Sequence, residues 1–370
     1  MSARFLTAVS GRAFNMRDGF GREIDYMRIS VIDSCNLNCY YCNPCDNNEH
    51  CHALNILSVK EVLCIVRAAT RLGIKHFRLT GGEPLLHPQL DEMVLQIKKI
   101  SGVSSVSLTT NAVLLAQHAK WLKEAGIDSI NVSLDTIDAS EYERITKKPL
   151  LEEVKHGINA AIECGIRVKI NVVLTPQTDV VALTRYVAKK GTDIRFIEMM
   201  PVGEGHTNGV EPYKKVIGTL SKLYGEPCRI NTEKTKEINS GNDKRKIPDN
   251  GPAEYYIFPE LGIRVGLIQA IHGKFCDTCN RIRVTADGRL MPCLGSSVTM
   301  DLVPDSWDFA DDAEKDFSIV RALRAAIKAK PRCHNFNDNA VTYTKTTETK
   351  TTEIEAAEVN AARNMSRIGG

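Results

Sequence analysis

The strongest constraint on the fold is a regular alternation of two kinds of segment between Met27 and Met200. Apolar, β-branched runs at Met27–Ile32, His76–Thr80, Val103–Thr109, Ser129–Leu134, Arg167–Leu174 and Asp193–Met199 read as strands. Between most of them, Val59–Leu72, Leu90–Ile100, Leu115–Ala125, Leu151–Cys164 and Val180–Lys190 space their apolar residues as helices do. Ser58 followed by Glu61 is a capping-box signal, and Gly73, Gly126 and Gly165 stand where helices should stop. Repeated strand–helix units require a parallel sheet with right-handed crossovers. Six such strands suit an open doubly wound sheet or an incomplete barrel, and periodicity does not choose between them.

After Pro201 the rhythm breaks. Val216–Tyr224 and Ala313–Lys330 are expected to be helices, and Tyr255–Phe258 and Ile263–Ile268 short strands. Asn231–Pro252 reads as a polar surface loop and the Thr/Lys/Glu-rich Thr342–Thr352 as solvated, irregular chain. The net charge is only +3, from 48 basic and 45 acidic residues, without the broad basic excess of a nucleic-acid binder. No apolar run is long enough to span a bilayer. Neither DNA nor a membrane is therefore an expected partner, while a local basic pocket for an anion remains open. Residues 1–17 carry Arg4, Arg12 and Arg17 and no acid, and are expected to form a short disordered leader on a cytoplasmic protein.

The 12 cysteines are grouped, which in a long chain points to metal sites more than to disulfides. Cys35, Cys39 and Cys42 follow the first strand with three and then two residues between them. Such a loop can wrap three thiolates around a cubane cluster and leave one iron open for chemistry. A zinc site is the alternative, with Cys45, His50, Cys51 or His52 as a fourth ligand. Thr80-Gly81-Gly82-Glu83-Pro84 follows the second strand, where parallel-sheet enzymes bind ligands. Its glycines permit close backbone approach, and Glu83 offers a negative charge suited to an ammonium. A second trio, Cys276, Cys279 and Cys293, reads either as another open cluster or as zinc completed by His272 or Cys333.

Cys-x3-Cys-x2-Cys with Tyr41 before the third cysteine, together with the Gly-Gly-Glu-Pro segment, resembles the radical S-adenosylmethionine superfamily. The run from Phe275 to Gly288 with Cys293-Leu294 narrows the resemblance to the GTP 3′,8-cyclase family of molybdenum-cofactor biosynthesis. So do Asp18–Arg22, Arg28–Val31, Thr109–Asn111, Asn131–Asp135, Arg195–Glu198 and the terminal Gly369-Gly370. The chain departs from the family's pattern in having His76 where a lysine is common, and in the extra Cys45 and Cys51.

The resemblance implies an incomplete parallel (β/α)6 barrel over residues 18–230. A C-terminal cluster-binding region follows over residues 231–330, then a flexible tail over 331–370 ending in Gly-Gly. It implies two 4Fe–4S clusters, held by Cys35, Cys39 and Cys42 and by Cys276, Cys279 and Cys293. S-adenosylmethionine would meet Tyr41, Gly82, Ser133 and Met200. GTP would meet Arg28, Arg78, Thr109, Lys169, Arg195, Arg281 and Arg283, with Gly369 and Gly370 reaching the catalytic centre. A radical formed from S-adenosylmethionine would take hydrogen from C3′ of the ribose, and that carbon would bond to C8 of the guanine. The partners implied are an electron donor such as flavodoxin or ferredoxin, the downstream cyclic pyranopterin monophosphate synthase, and a second copy in a homodimer.

Overall fold

The structure is a computed structural model that describes residues 16–42, 55–202, 210–230, 251–296, 298–302, 312–334 and 336. Six strands, β1 (Tyr26–Ser30), β2 (His76–Thr80), β3 (Ser105–Thr110), β4 (Ser129–Ser133), β5 (Val168–Val173) and β6 (Asp193–Ile197), pair in sequence order and in parallel. Helices α1 (Val59–Arg71), α2 (Leu90–Lys98), α3 (Leu115–Glu124), α5 (Leu151–Glu163) and α6 (Val180–Lys189) make the connections. These are the expected strands and helices with ends moved by one or two residues. The capping box at Ser58 and Glu61 is formed, with the Ser58 amide 2.6 Å from the Glu61 carboxylate. Helices α1, α3 and α5 each stop two residues before their expected glycine.

One helix was not anticipated. α4 (Ala139–Thr146) is short and has few apolar positions, so it carries little periodic signal. It starts on Asp138, whose carboxylate accepts the Glu141 amide at 2.8 Å.

The later strands complete the sheet in a way no local pattern announces. β7 (Cys228–Ile230), β8 (Glu254–Ile257) and β9 (Arg264–Ile268) extend one edge, with β9 parallel to β6. β10 (Arg281–Val284), β11 (Arg289–Met291) and β12 (Met300–Asp301) extend the other, with β10 parallel to β1. The order is β12-β11-β10-β1-β2-β3-β4-β5-β6-β9-β8-β7, so the eight strands from β10 to β9 run parallel. No pairing joins β12 to β7 among the described strands, and the barrel stays incomplete, as expected. A π-helical turn (Tyr213–Ile217) runs into α7 (Gly218–Tyr224), and α8 (Asp312–Lys328) packs on α1.

Alternation along the strands sorts the residues onto two faces. Met27 and Ile29, Phe77 and Leu79, Val106 and Leu108, Ile130 and Val132, and Ile194 and Phe196 face outward and are fully buried in the core. The opposite face carries Arg28, Arg78, Thr109, Asn131, Lys169, Asn171 and Arg195. The inner wall of the barrel is therefore polar along β1 to β6, which a core-filling barrel could not tolerate. Residues 1–15, most of Asn231–Pro252, and Thr342–Thr352 with the tail to Gly370 lie outside the described residues.

Candidate active site

One cavity of about 290 Å³ runs through the barrel and is lined by all six cysteines of the two trios. The first trio follows β1, at the carboxyl end of the parallel strands. The second lies at the opposite end. Cys279 precedes the first residue of β10 by two, and Cys293 follows antiparallel β11. The segment between β9 and β10, which holds Cys276, crosses from the carboxyl end of the sheet to its amino end. The lumen thus connects two thiol-bearing mouths.

The first cysteine loop is braced on two sides. The amides of Asn38 and Tyr40 donate to the carbonyls of Thr146 and Ile145 at 3.0 and 3.1 Å, satisfying the carboxyl end of α4. The amides of Gly82 and Glu83 donate to Ile32 and Ser34 at 2.8 Å each. A Cβ on Gly82 would stand 2.1 Å from the Ser34 carbonyl oxygen, and one on Gly81 2.2 Å from that of Ile32. The paired glycines are thus required by the cysteine loop itself.

Glu83 differs from its sequence reading. Its carboxylate is fully buried and accepts from the Leu85 amide (3.0 Å), the Thr110 hydroxyl (2.7 Å) and the Asn111 amide (2.7 Å). It does not line the cavity and ties β2 to β3 instead. Burial pushes it up to about 7 against those hydrogen bonds. Asn111, fixed through this link, donates to Asn36 at 2.7 Å and lies 3.7 Å from the Cys35 sulfur. Tyr41 donates to Asp135 at 2.5 Å, and Asp135 accepts the Val173 amide at 2.7 Å.

Of the expected nucleotide residues, Arg28, Thr109, Arg281 and Arg283 line the cavity, as do Tyr41, Gly82, Ser133 and Met200. Arg78, Lys169 and Arg195 are not on its wall. Arg78 bonds the Tyr26 hydroxyl and reaches Thr109 at 3.3 Å. Lys169 lies over the Tyr255 ring at 5.9 Å. Arg195 is buried, and its Nε and Nη2 find no hydrogen-bond acceptor among the described residues. Tyr26 sits among the arginines; burial opposes its ionisation, but Arg78, Arg281 and Arg28 outweigh this and bring it down to about 8. Gly369 and Gly370, and the extra Cys45 and Cys51, lie outside the described residues.

His272 contacts Glu198, whose carboxylate also accepts the Ile271 and His272 amides at 2.7 and 3.1 Å. This pins the loop leading to Cys276. Lys330, His334 and Phe336 also line the cavity, and no sequence signal marked them. A lysine ending a charged helix reads as solvated, and nothing local shows it to be buried. Asn111 and Asp135 did fall in recognised motifs, without an assigned role.

The residues fit a pair of clusters. All six thiols are free, and each trio is mutually close enough for its charges to interact. Burial pushes Cys35 up to about 11, so a thiolate there calls for a cationic partner such as iron. Among the described residues, no three His, Cys, Asp or Glu side chains converge as a single-ion site.

The Radical SAM superfamily model matches residues 29–182, and the Molybdenum Cofactor Synthesis C model matches residues 192–336. The GTP 3′,8-cyclase of Clostridium perfringens is 35% identical over 87% of this chain and 95% of its own length. That of Pelotomaculum thermopropionicum is 36% identical over 86% and 95%. The chain belongs to the GTP 3′,8-cyclase family. Members are radical S-adenosylmethionine enzymes with a 4Fe–4S cluster and that cofactor, and GTP 3′,8-cyclases carry an additional C-terminal cluster. The fold is shared with Streptococcus suis SuiB bound to precursor peptide SuiA, at a TM-score of 0.54 and 16% identity, over 82% of this chain and 67% of that one. No described helix is long and apolar enough to cross a membrane.

Proposed function

We infer that this chain is a GTP 3′,8-cyclase. It converts GTP to (8S)-3′,8-cyclo-7,8-dihydroguanosine 5′-triphosphate, the first step of molybdenum-cofactor biosynthesis. The observation that carries the reading is the single cavity joining both cysteine trios, with Arg28, Arg281 and Arg283 on its wall.

Cys35, Cys39 and Cys42 hold the first cluster, and Tyr41, Gly82, Ser133 and Met200 receive S-adenosylmethionine beside it. Cys276, Cys279 and Cys293 hold the second, where the purine rests. When bound, cluster and cofactor together supply the electron and the radical that start the reaction. The protein's own part is placement. Arg28, Arg281 and Arg283 neutralise the triphosphate, an anion that guanidinium forks bind two oxygens at a time. Arg78 orients Thr109, and Lys169 and Arg195, buried behind the cavity wall on the inward face of β5 and β6, add positive charge from there. By the family's pattern, Gly369 and Gly370 take part in catalysis.

We assign residues 18–230 to the radical-generating barrel, 231–330 to the second-cluster region, 1–17 to a leader and 331–370 to a tail whose start, at Pro331, Arg332 and His334, is held against the cavity rather than free. A flavodoxin or ferredoxin supplies electrons, cyclic pyranopterin monophosphate synthase takes the product, and the enzyme works as a cytoplasmic homodimer.

The test is anaerobic incubation of cluster-loaded protein with GTP, S-adenosylmethionine and a strong reductant. It should yield 5′-deoxyadenosine and a cyclised nucleotide, from protein holding about eight irons. Cys35→Ser should abolish S-adenosylmethionine cleavage, whereas Cys276→Ser should mainly lose GTP turnover. Intact GTP from fully loaded protein would overturn the reading.

A further inference from the structure

Lys330 is almost fully buried, at 2% exposure, a rare place for an ammonium. Its Nζ donates to the carbonyl of Arg281 at 2.8 Å and to that of Pro292 at 2.9 Å. Arg281 lies two residues after Cys279, and Pro292 immediately precedes Cys293. The ammonium's charge also acts on the Cys279 thiol and, with Arg281, lowers it against the effect of burial. One side chain therefore joins two of the three arms of the second trio.

The segment that presents Lys330 is itself fixed. Arg22, paired with Asp18 at 2.5 Å, donates to the carbonyls of Pro331 at 2.6 Å and Arg332 at 2.9 Å. The same guanidinium donates to the carbonyl of Cys276 at 2.7 Å, which secures the third arm.

The two trios differ in electrostatic setting. Glu83 and Asp135 act on the first, through Cys35 and Cys39. Lys330 and Arg281 act on the second, through Cys279. A cluster gains negative charge on reduction, so a fixed cation at a ligating sulfur favours the reduced form.

We propose that Lys330 is a positioning residue of the second cluster, tying the arms of Cys279 and Cys293 together and raising that cluster's reduction potential. The proposal rests on the assignment of Cys276, Cys279 and Cys293 to a cluster. It concerns a residue from outside the motifs that define the two cysteine groups.

The test uses the full, anaerobically loaded protein with Lys330→Arg, Lys330→Gln and Lys330→Met. Iron is counted, and each cluster's potential is read by redox titration followed by electron paramagnetic resonance. The second cluster is identified as the one whose signal changes on adding GTP. Lys330→Gln should shift the second cluster to lower potential and leave the first unmoved, and Lys330→Arg should hold it near the wild-type value. Loss of the second cluster from both neutral variants, with retention in Lys330→Arg, also supports the proposal. Full iron with an unchanged second potential in Lys330→Gln overturns it, as does equal loss of that cluster from Lys330→Arg. If wild-type protein holds only about four irons, or GTP alters neither signal, the cluster assignment fails rather than the role of Lys330.

Discussion

Arg28 on β1 and Arg283 on β10 are register partners across a parallel strand pair, so two guanidinium-bearing residues stand side by side in the lumen. Burial, then the like charges of Arg283 and Arg78, hold Arg28 well below the usual guanidinium range. Burial and Arg281 bring Arg283 down to about 10. Such crowding of like charge is costly without an anion and favourable with one. The pair therefore stores, in the ligand-free protein, part of the attraction that a triphosphate would collect.

We predict from this that Arg283→Met weakens GTP binding by about 1.5–3 kcal/mol, the range for a charged hydrogen bond. The thermal midpoint of the nucleotide-free protein should hold or rise, because the repulsion is relieved while the aliphatic stem is kept. Calorimetric titration with GTP and a melting curve read the two effects. An unchanged dissociation constant would remove Arg283 from the substrate site.

Gly82→Ala should cost the first cluster and spare the second. Its new Cβ would press to 2.1 Å from a backbone oxygen of the cysteine loop, an atom with no room to yield. Iron should fall from about eight to about four, with S-adenosylmethionine cleavage lost. Gly218→Ala is the control, since nothing lies within 4 Å of its Cβ position, on an exposed helical site. There we expect unchanged iron and up to about 1 kcal/mol of added stability.

Glu83 should make the cluster-free protein less stable as pH rises. Its folded-state value of about 7 lies above the ordinary 4.5, so the folded state holds the proton more tightly. The stabilisation is complete below about pH 4.5 and fades as pH approaches and passes 7. The loss is on the order of 3 kcal/mol, since a tenfold difference in proton affinity is worth about 1.4 kcal/mol. Denaturant midpoints across this window should slope downward for wild type and flatten for Glu83→Gln. An equal slope in both proteins would assign the dependence elsewhere.

Ala112 holds φ at 65°, a left-handed conformation that costs a residue with a Cβ about 1–2 kcal/mol. The turn is needed because Asn111 must meet both Glu83 and Asn36. Ala112→Gly should relieve the strain at the smaller expense of a freer unfolded chain, for a net gain of up to about 1 kcal/mol. Chemical denaturation checks it, and a net loss of stability would show that Ala112 is not strained.

Legibility in the sequence followed locality. The six strands of the barrel and five of its helices were readable because their periodicity lies within each segment. The short helix α4 was not, because so few of its residues are apolar. Both cysteine trios were readable from spacing, and Arg28, Thr109, Arg281 and Arg283 by resemblance; all reach the cavity wall. The direction of Glu83 is not legible, since a motif shows that a carboxylate is present and not which donors surround it. Lys330 was invisible for the same reason.

The sequence by itself determined a parallel strand–helix repeat and two sets of three thiols, because each is written in neighbouring residues. Tertiary structure alone decided that β10 lies against β1, and so that thiols more than two hundred residues apart open into one lumen. Strand pairing across such a separation depends on how the whole sheet closes and on what each face buries. No window of the chain contains that information.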